Sequence, residues 1–432
     1  MKKSSGILGL AMGVSLWGIA ALGVASPVYA AECSDGSVIS SMKFDGLVHT
    51  KNRVVERELQ NKVGEVFDSK KFESEKLKLQ DLDLFTEISA TCEPAADGAV
   101  ALTYHFQEIF RWIPSPAGKT TDRDGLMIGV ALANLNVAGE DVRVEVQYRT
   151  TVDPFLKNNE YALYASSPYL LGLPVGWNFE FLRTDSWDNL RKFQDASWLA
   201  DLDLNWDLTS RFSLLFTGAY RYLEGGVGHL PEVGLGFKID RRDAGIDTRN
   251  GVYLEYMLTH VGAGVGENHK GENYWEVLFD GRGYHTIGKF ITGATALFRY
   301  RPGTVGHYDL YYQGGTNTFR GHDPDSTYLG VHETLLNLEE RFVLMERRSA
   351  SVLGINFFYG IQLVAGFDGR LLWDKGMPSW DDYEGAVYGG IHLIVPALDR
   401  IRFEIGYSPD VGEPKFSFGL FDRTIPARWR SR

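Results

Sequence analysis

From Gly125 to Phe421 the side chains of this chain change polarity at almost every step, and that alternation excludes most folds. Residues 141–149 read D-V-R-V-E-V-Q-Y-R. Val142, Val144, Val146 and Tyr148 fall on one face of a strand, and Arg143, Glu145, Gln147 and Arg149 on the other. Trp198, Leu202, Leu204, Trp206 and Leu208 alternate with Asp201, Asp203, Asn205 and Asp207. Ile401, Phe403, Ile405 and Tyr407 alternate with Arg402, Glu404, Gly406 and Ser408. One such strand suits any antiparallel sheet with a wet face. A soluble sandwich, the alternative, does not explain charge at every second position of long strands with no helix to cover the sheet. Lipid outside and water inside demand that pattern, because only a closed sheet satisfies every backbone hydrogen bond in hydrocarbon. About fifteen strands start near residues 126, 140, 158, 173, 195, 211, 231, 250, 271, 288, 332, 352, 384, 400 and 414, and single-chain barrels favour even numbers. The expectation is an all-β transmembrane barrel of about 16 antiparallel strands over residues 111–421.

The N-terminus explains how such a chain reaches a membrane. Lys2 and Lys3, the apolar Gly/Ala-rich run 7–24 and the triplet Val28-Tyr29-Ala30 make residues 1–30 a cleavable export signal. A membrane anchor is the alternative, disfavoured by the polar, Pro-containing stretch from Ser26. Lipidation of Cys33 is rejected because Glu32, not a small residue, precedes it. Export permits a disulfide, and Cys33 and Cys92 are the only two cysteines; the sequence leaves their pairing open. No later apolar run is long enough for a membrane helix.

Composition excludes other classes. A net charge of −12 without basic clusters argues against nucleic acid as a partner. No metal-type His/Cys spacing and no nucleophile elbow occur, and the ten histidines are scattered. The reading is therefore of a non-enzyme with no cofactor and no metal. Tyr311-Tyr312 and the tryptophans suit aromatic girdles facing outer-membrane lipids.

Residues 31–110 have another rhythm and read as a small soluble β-α-α-β-β domain. A strand over 37–44 places Val38, Met42 and Phe44 on one face, before a turn at Asp45-Gly46. Val54, Val55 and Leu59 mark a helix over 52–61 that stops at Val63-Gly64. Asp68 caps a second helix carrying Phe72, Leu77 and Leu79. A hairpin over 85–92 and 99–106 then turns at Asp97-Gly98. Residues 422–432 form a basic C-terminal tail.

One loop stands out between two amphipathic strands. Gly314-Gly315 is followed by Phe319-Arg320-Gly321-His322. Glycines let the backbone fold back, and the arginine offers a rigid five-donor fork that seeks a carboxylate. The loop is suited to turning inward and docking one cation against a fixed wall. His322-Asp323 also has the makings of an acid/base pair, but the loop's neighbourhood is better explained as follows.

Together these features resemble the BamA/TamA-type outer-membrane assembly family, or bacterial surface antigens, in a short form with a single POTRA domain. F-D-G-L-V-H-T-K-N-R-V-V-E-R-E-L, G-E-V-F-D and D-L-D-L-F-T-E-I are similar to one POTRA domain, with Gly46, Gly64, Phe67 and Phe85 in the motif's positions and Leu47 where asparagine is usual. Asn134-Leu135, residues 161–169 and Asp240-Arg241-Arg242-Asp243 resemble recurrent barrel segments. Phe319-Arg320-Gly321 matches the family's lumen loop, His322 replacing the usual Phe or Tyr. The resemblance implies that Arg320 contacts Glu339 and Asp368 on two strands after the loop. Alternation independently places Asn337, Glu339 and Arg341 on one face, and Gln362, Val364, Gly366 and Asp368 on another. Glu340 is then turned toward lipid, which calls for a position near the interface or a bulge. Phe416, Gly419 and Phe421 in the last strand resemble the family's C-terminal assembly signal.

What the resemblance implies for function is an outer-membrane protein that assists insertion, assembly or translocation of other proteins. Its POTRA-like domain would sit in the periplasm and bind unfolded outer-membrane or secreted clients, with accessory lipoproteins as candidate partners. The alternatives are a two-partner secretion-type transporter for one exported protein, and a passive pore or surface structural protein.

Overall fold

The computed structural model describes residues 35–121, 125–152, 158–188, 190–224, 228–243, 247–262, 272–315, 318–323, 328–352, 355–395 and 399–421. The expected export signal, Cys33 and the tail 422–432 lie outside the described residues; Cys92 is disulfide-bonded.

The small domain has the expected order: β1 (Ile39–Asp45), α1 (Asn52–Glu56), α2 (Ser69–Asp81), β2 (Phe85–Pro94) and β3 (Val100–Glu108). β3 is central, parallel to β1 and antiparallel to β2. Asp68 caps α2 by accepting from the amides of Lys70 and Lys71. Two details differ from expectation. α1 ends at Glu56 because the amides of Gln60 and Asn61 leave the helical path to donate to the buried Glu75 carboxylate. Val54, Val55 and Leu59 still reach the core. In β1 a register shift between Ile39 and Ser41 turns Ile39 inward beside Met42 and Phe44, leaving Val38 44% exposed.

The rest of the chain is a barrel. Its first strands are β4 (Trp112–Thr121), β5 (Gly125–Val137), β6 (Val142–Thr151), β7 (Asn159–Ser167), β8 (Val175–Asp188) and β9 (Phe193–Thr209). Then come β10 (Phe212–Leu223), β11 (Gly228–Asp240), β12 (Gly251–Gly262), β13 (Asn273–Ile287) and β14 (Phe290–Tyr300). Three two-residue strands, β15 (Gly303–Thr304), β16 (Tyr311–Tyr312) and β17 (Leu329–Gly330), belong to the connection that follows. β18 (His332–Val352), β19 (Ile355–Trp373), β20 (Tyr383–Val395), β21 (Asp399–Tyr407) and β22 (Lys415–Phe421) complete the sheet, which closes where β22 meets β4. Among the described residues the long strands number sixteen.

β4 is the strand that alternation alone overlooks. Its sequence, W-I-P-S-P-A-G-K-T-T, carries two prolines and little apolar periodicity, so pairing with β5 rather than local preference makes it a strand. Elsewhere the pattern holds. Ile128, Val130, Leu132, Leu202, Trp206, Phe403 and Ile405 are exposed on the outside, while Glu145, Arg149, Asp201, Glu276, Asp280, Arg402 and Glu404 are buried within. Glu340 faces outward two ladder positions from the turn joining Ile287 to Phe290, and its carboxylate accepts from Thr292 Oγ1 at 2.7 Å. The first register shift in β18 comes later, after Val343, so a position at the barrel rim rather than a bulge accommodates this residue.

The small domain docks on the β5–β6 turn. Ala133 and Leu135 of β5 join its core, Asn136 Nδ2 donates to Thr50 Oγ1 at 2.8 Å, and Lys51 N donates to Gly139 O at 3.0 Å. Gly139 has φ +75°, and a Cβ there would meet His49 O at 2.1 Å, so the close approach needs glycine. Arg57 bonds Asp141 at 2.7 Å and lies 3.7 Å over the Tyr169 ring, whose hydroxyl donates to Glu58.

Candidate functional site

The connection between β14 and β18 turns into the barrel, as the glycine-flanked motif suggests. β15 pairs with the start of β13, and β16 pairs with β17 to make a short ribbon that carries the tip, so Tyr311 and Tyr312 are buried in the loop rather than placed in a lipid-facing girdle. The tip is closed by Gly315 N donating to His322 O at 2.8 Å, and Thr318 Oγ1 accepts from Gly314 N. Gly315 and Gly321 have φ +76° and +108°, in the left-handed region.

Arg320 is buried, and three carboxylates surround its guanidinium. Asp368 on β19 accepts from Nε and Nη2, each at 2.8 Å, and also from the Arg320 backbone amide at 2.9 Å. Glu404 on β21 accepts from Nη1 at 2.9 Å. Glu339 on β18 stands off at 3.7 Å. The Tyr388 ring lies under the guanidinium, 3.5 Å from its carbon, adding a cation–π contact. This planar fork satisfied on two sides is the geometry that arginine, unlike lysine, can meet.

The structure brings Arg320, Asp368 and Glu339 into one place, with Asp368 in direct contact and Glu339 further off. Glu339 holds the ring of the cluster: it accepts from Tyr388 OH at 2.9 Å and lies 3.3 Å from Arg341 and 3.7 Å from Arg400. Asn337 donates to both Asp368 and Tyr388. Glu404 is the residue that sequence reasoning missed; it also pairs with His392 at 2.9 Å. Its signal was present, since alternation already faces Glu404 inward with Arg402.

Two glycines make room. A Cβ on Gly406 would sit 2.5 Å from Gly321 N, and one on Gly366 would sit 2.4 Å from the Tyr388 ring. Phe319 is fully buried, with Arg370 4.6 Å over its ring, and His322 packs against Phe319 and Tyr328. Phe416 lies exposed on the outer face, Gly419 is buried, and Phe421 ends β22.

A second anchor, which no loop motif announced, holds the loop's first arm. Buried Asp309 pairs with Arg221 and accepts from Tyr274 OH at 2.6 Å, while Arg301 donates to its carbonyl. Arg301 also bonds Glu276 at 2.7 Å, and Arg191 Nε donates to Leu310 O at 3.0 Å. A carboxylate on the arm and an arginine at the tip thus grip walls of opposite charge.

Where the small domain docks, charges are tuned by the contact. Arg53 and Lys51 hold the Glu140 carboxyl down at about 2. Burial pushes Asp141 up to about 7 against the opposing pull of Arg57.

A lipid-facing barrel of sixteen strands, a lumen loop pinned by buried ion pairs and one docked α+β domain define an outer-membrane β-barrel with a periplasmic POTRA domain. Residues 37–108 match the POTRA family, described as a surface antigen variable number repeat, and residues 134–359 match the Omp85 superfamily domain. The chain belongs to the Omp85 superfamily. Among solved structures it is similar to BamA from Haemophilus ducreyi lacking POTRA domains 1-3, at 13% identity and a TM-score of 0.54, over 89% of this chain and 83% of that one. CdiB from Escherichia coli matches at 14% identity and a TM-score of 0.61, over 89% and 74% of the two chains. CdiB from Acinetobacter baumannii matches at 13% and 0.55, over 88% and 72%. At such identities the likeness is one of fold. No curated protein matches the sequence.

Proposed function

We propose that this protein assists the insertion, assembly or translocation of other proteins at the outer membrane. The POTRA domain would take up unfolded clients along β2, an edge strand of its sheet, by strand addition. The β4–β22 seam would then pass them toward lipid, with accessory lipoproteins as candidate partners. The observation that carries this reading is the chemistry of the seam.

β4 pairs with β5 at ten consecutive positions. A continuous antiparallel ladder needs the amides of Ile113, Ser115, Ala117 and Lys119 to face β5. The intervening positions face β22, and two of them, Pro114 and Pro116, have no N–H to give. Two lost ladder bonds weaken the seam by about 1 kcal/mol each. β22 itself has only seven residues. The loop anchors at Arg320 and Asp309, meanwhile, grip β10, β13, β19 and β21, and among the described residues neither bonds β4 or β22.

Deletion of the gene followed by outer-membrane proteomics tests the proposal. Several depleted barrel proteins, restored by the wild-type chain and not by Arg320→Ala, are expected. Loss of one exported protein with other barrels intact would instead mean a dedicated two-partner secretion-type transporter. Unchanged client levels would reject both and leave a passive pore.

A further inference from the structure

His322 sits at the loop tip, two residues after Arg320, in surroundings that suit a metal ligand. Its side chain is 1% exposed, and Nε2 makes no hydrogen bond among the described residues. A buried imidazole nitrogen without a partner is unfavourable, because it has lost its hydrogen bonds to water. Nε2 faces Glu384 Oε2 at 3.6 Å, and ligand atoms of His322, Glu384 and Asp410 all lie within 4.8 Å of one another.

We propose that His322, Glu384 and Asp410 form a binding site for a borderline-soft divalent cation of the Zn2+ type, which staples the loop tip to β20 and to the β21–β22 loop. The three ligands come from three separate segments, so an ion there would add a cross-link to the Asp323–Lys415 ion pair that already ties the tip to β22. Bonds of about 2.0–2.2 Å in tetrahedral geometry put neighbouring ligand atoms roughly 3.3–3.6 Å apart, close to the spacing of His322 and Glu384. An imidazole in the set favours Zn2+ over Mg2+ or Ca2+, which take oxygen ligands.

The local charge is consistent with a dication. Four carboxylates, Glu384, Asp410, Asp323 and Glu413, surround the tip, and among the described residues Arg370 pairs with Glu384. Lys415 is engaged by Asp323 at 2.9 Å and Glu413 at 2.7 Å. Arg370 Nε and Nη2 both donate to Glu384 Oε2, the oxygen that faces His322, and so hold that carboxylate toward the loop tip. Exposed Asp410 supplies the way in. This site stands independently of the transport reading.

The test is calorimetric titration of the EDTA-stripped full chain, in nanodiscs, with ZnCl2 and with MgCl2. One saturable Zn2+ site with a Kd of about 1–10 µM is expected, weakened at least tenfold in both His322→Phe and Asp410→Asn, with no Mg2+ binding in that range. His322→Phe keeps an aromatic ring against Phe319 and Tyr328. Asp410→Asn alters an exposed loop only, and decides the matter if the first variant misfolds. No saturable Zn2+ binding below about 1 mM, or an affinity within about threefold of wild type in either folded variant, overturns the proposal.

Discussion

The three carboxylates around Arg320 differ in what else they hold. Asp368 receives two guanidinium bonds, the Arg320 amide and Asn337, so its loss strands several buried donors at once. Glu339 is further away and shares its charge with Arg341 and Arg400. Breaking a buried pair from one side costs about 3–5 kcal/mol, and Asp368 makes three bonds to Arg320 where Glu339 makes one long contact. Asp368→Asn is therefore expected to lower the urea midpoint of barrel unfolding well below that of Glu339→Gln; equal losses would contradict the ranking. Arg320 and Asp368 were legible in the sequence because a loop motif and a strand alternation each pointed to one of them. Glu404 was half legible. Its inward face was plain, but nothing in β21 ties it to a loop residue 84 positions earlier. Gly406 was silent, because the need for glycine there arises only when Gly321 packs on it.

Among the elements, the fifteen barrel strands with alternating polarity announced themselves, and β4 did not. Alternation reports a strand with one wet and one apolar face. β4 carries Pro114, Pro116 and Gly118 instead, and its place comes from the partner it pairs with. The same prolines that hide the strand from its pattern remove donors from the seam. Pro114→Val with Pro116→Val restores two amides facing β22 and is expected to tighten the joint by roughly 1–2 kcal/mol, raising the temperature at which the barrel loses its folded gel mobility. Client assembly should fall in the same variant. A variant with unchanged mobility and unchanged clients would remove the seam from the mechanism. The arm anchor at Asp309 was illegible for a different reason. Its partners Arg221, Tyr274 and Arg301 lie on separate elements, and only closure of the sheet gathers them.

At the scale of the whole molecule, the export signal, the change of period after the small domain and the charge placement already implied a barrel with one periplasmic domain. The sequence carried less about how the two units join. Thr50, Arg57, Asn136 and Asp141 are unremarkable polar residues until the β5–β6 turn meets the POTRA domain. That contact fixes the domain at the barrel mouth, on the end opposite the loop's entry, while the lumen anchors fix the loop. The loop is thus tied to β10, β13, β19 and β21, while β4 at the joint with β22 lacks the amides of Pro114 and Pro116.

Hydrogen exchange of residues 314–322, measured by mass spectrometry on the full chain in nanodiscs, tests the inturned and anchored loop most directly. The amides of Gly315 and Arg320, bonded to His322 O and Asp368, are expected to exchange at least about 100-fold more slowly than in an unstructured peptide, and Asp368→Asn should remove most of that protection. Exchange at free-peptide rates in the wild-type chain would contradict the account.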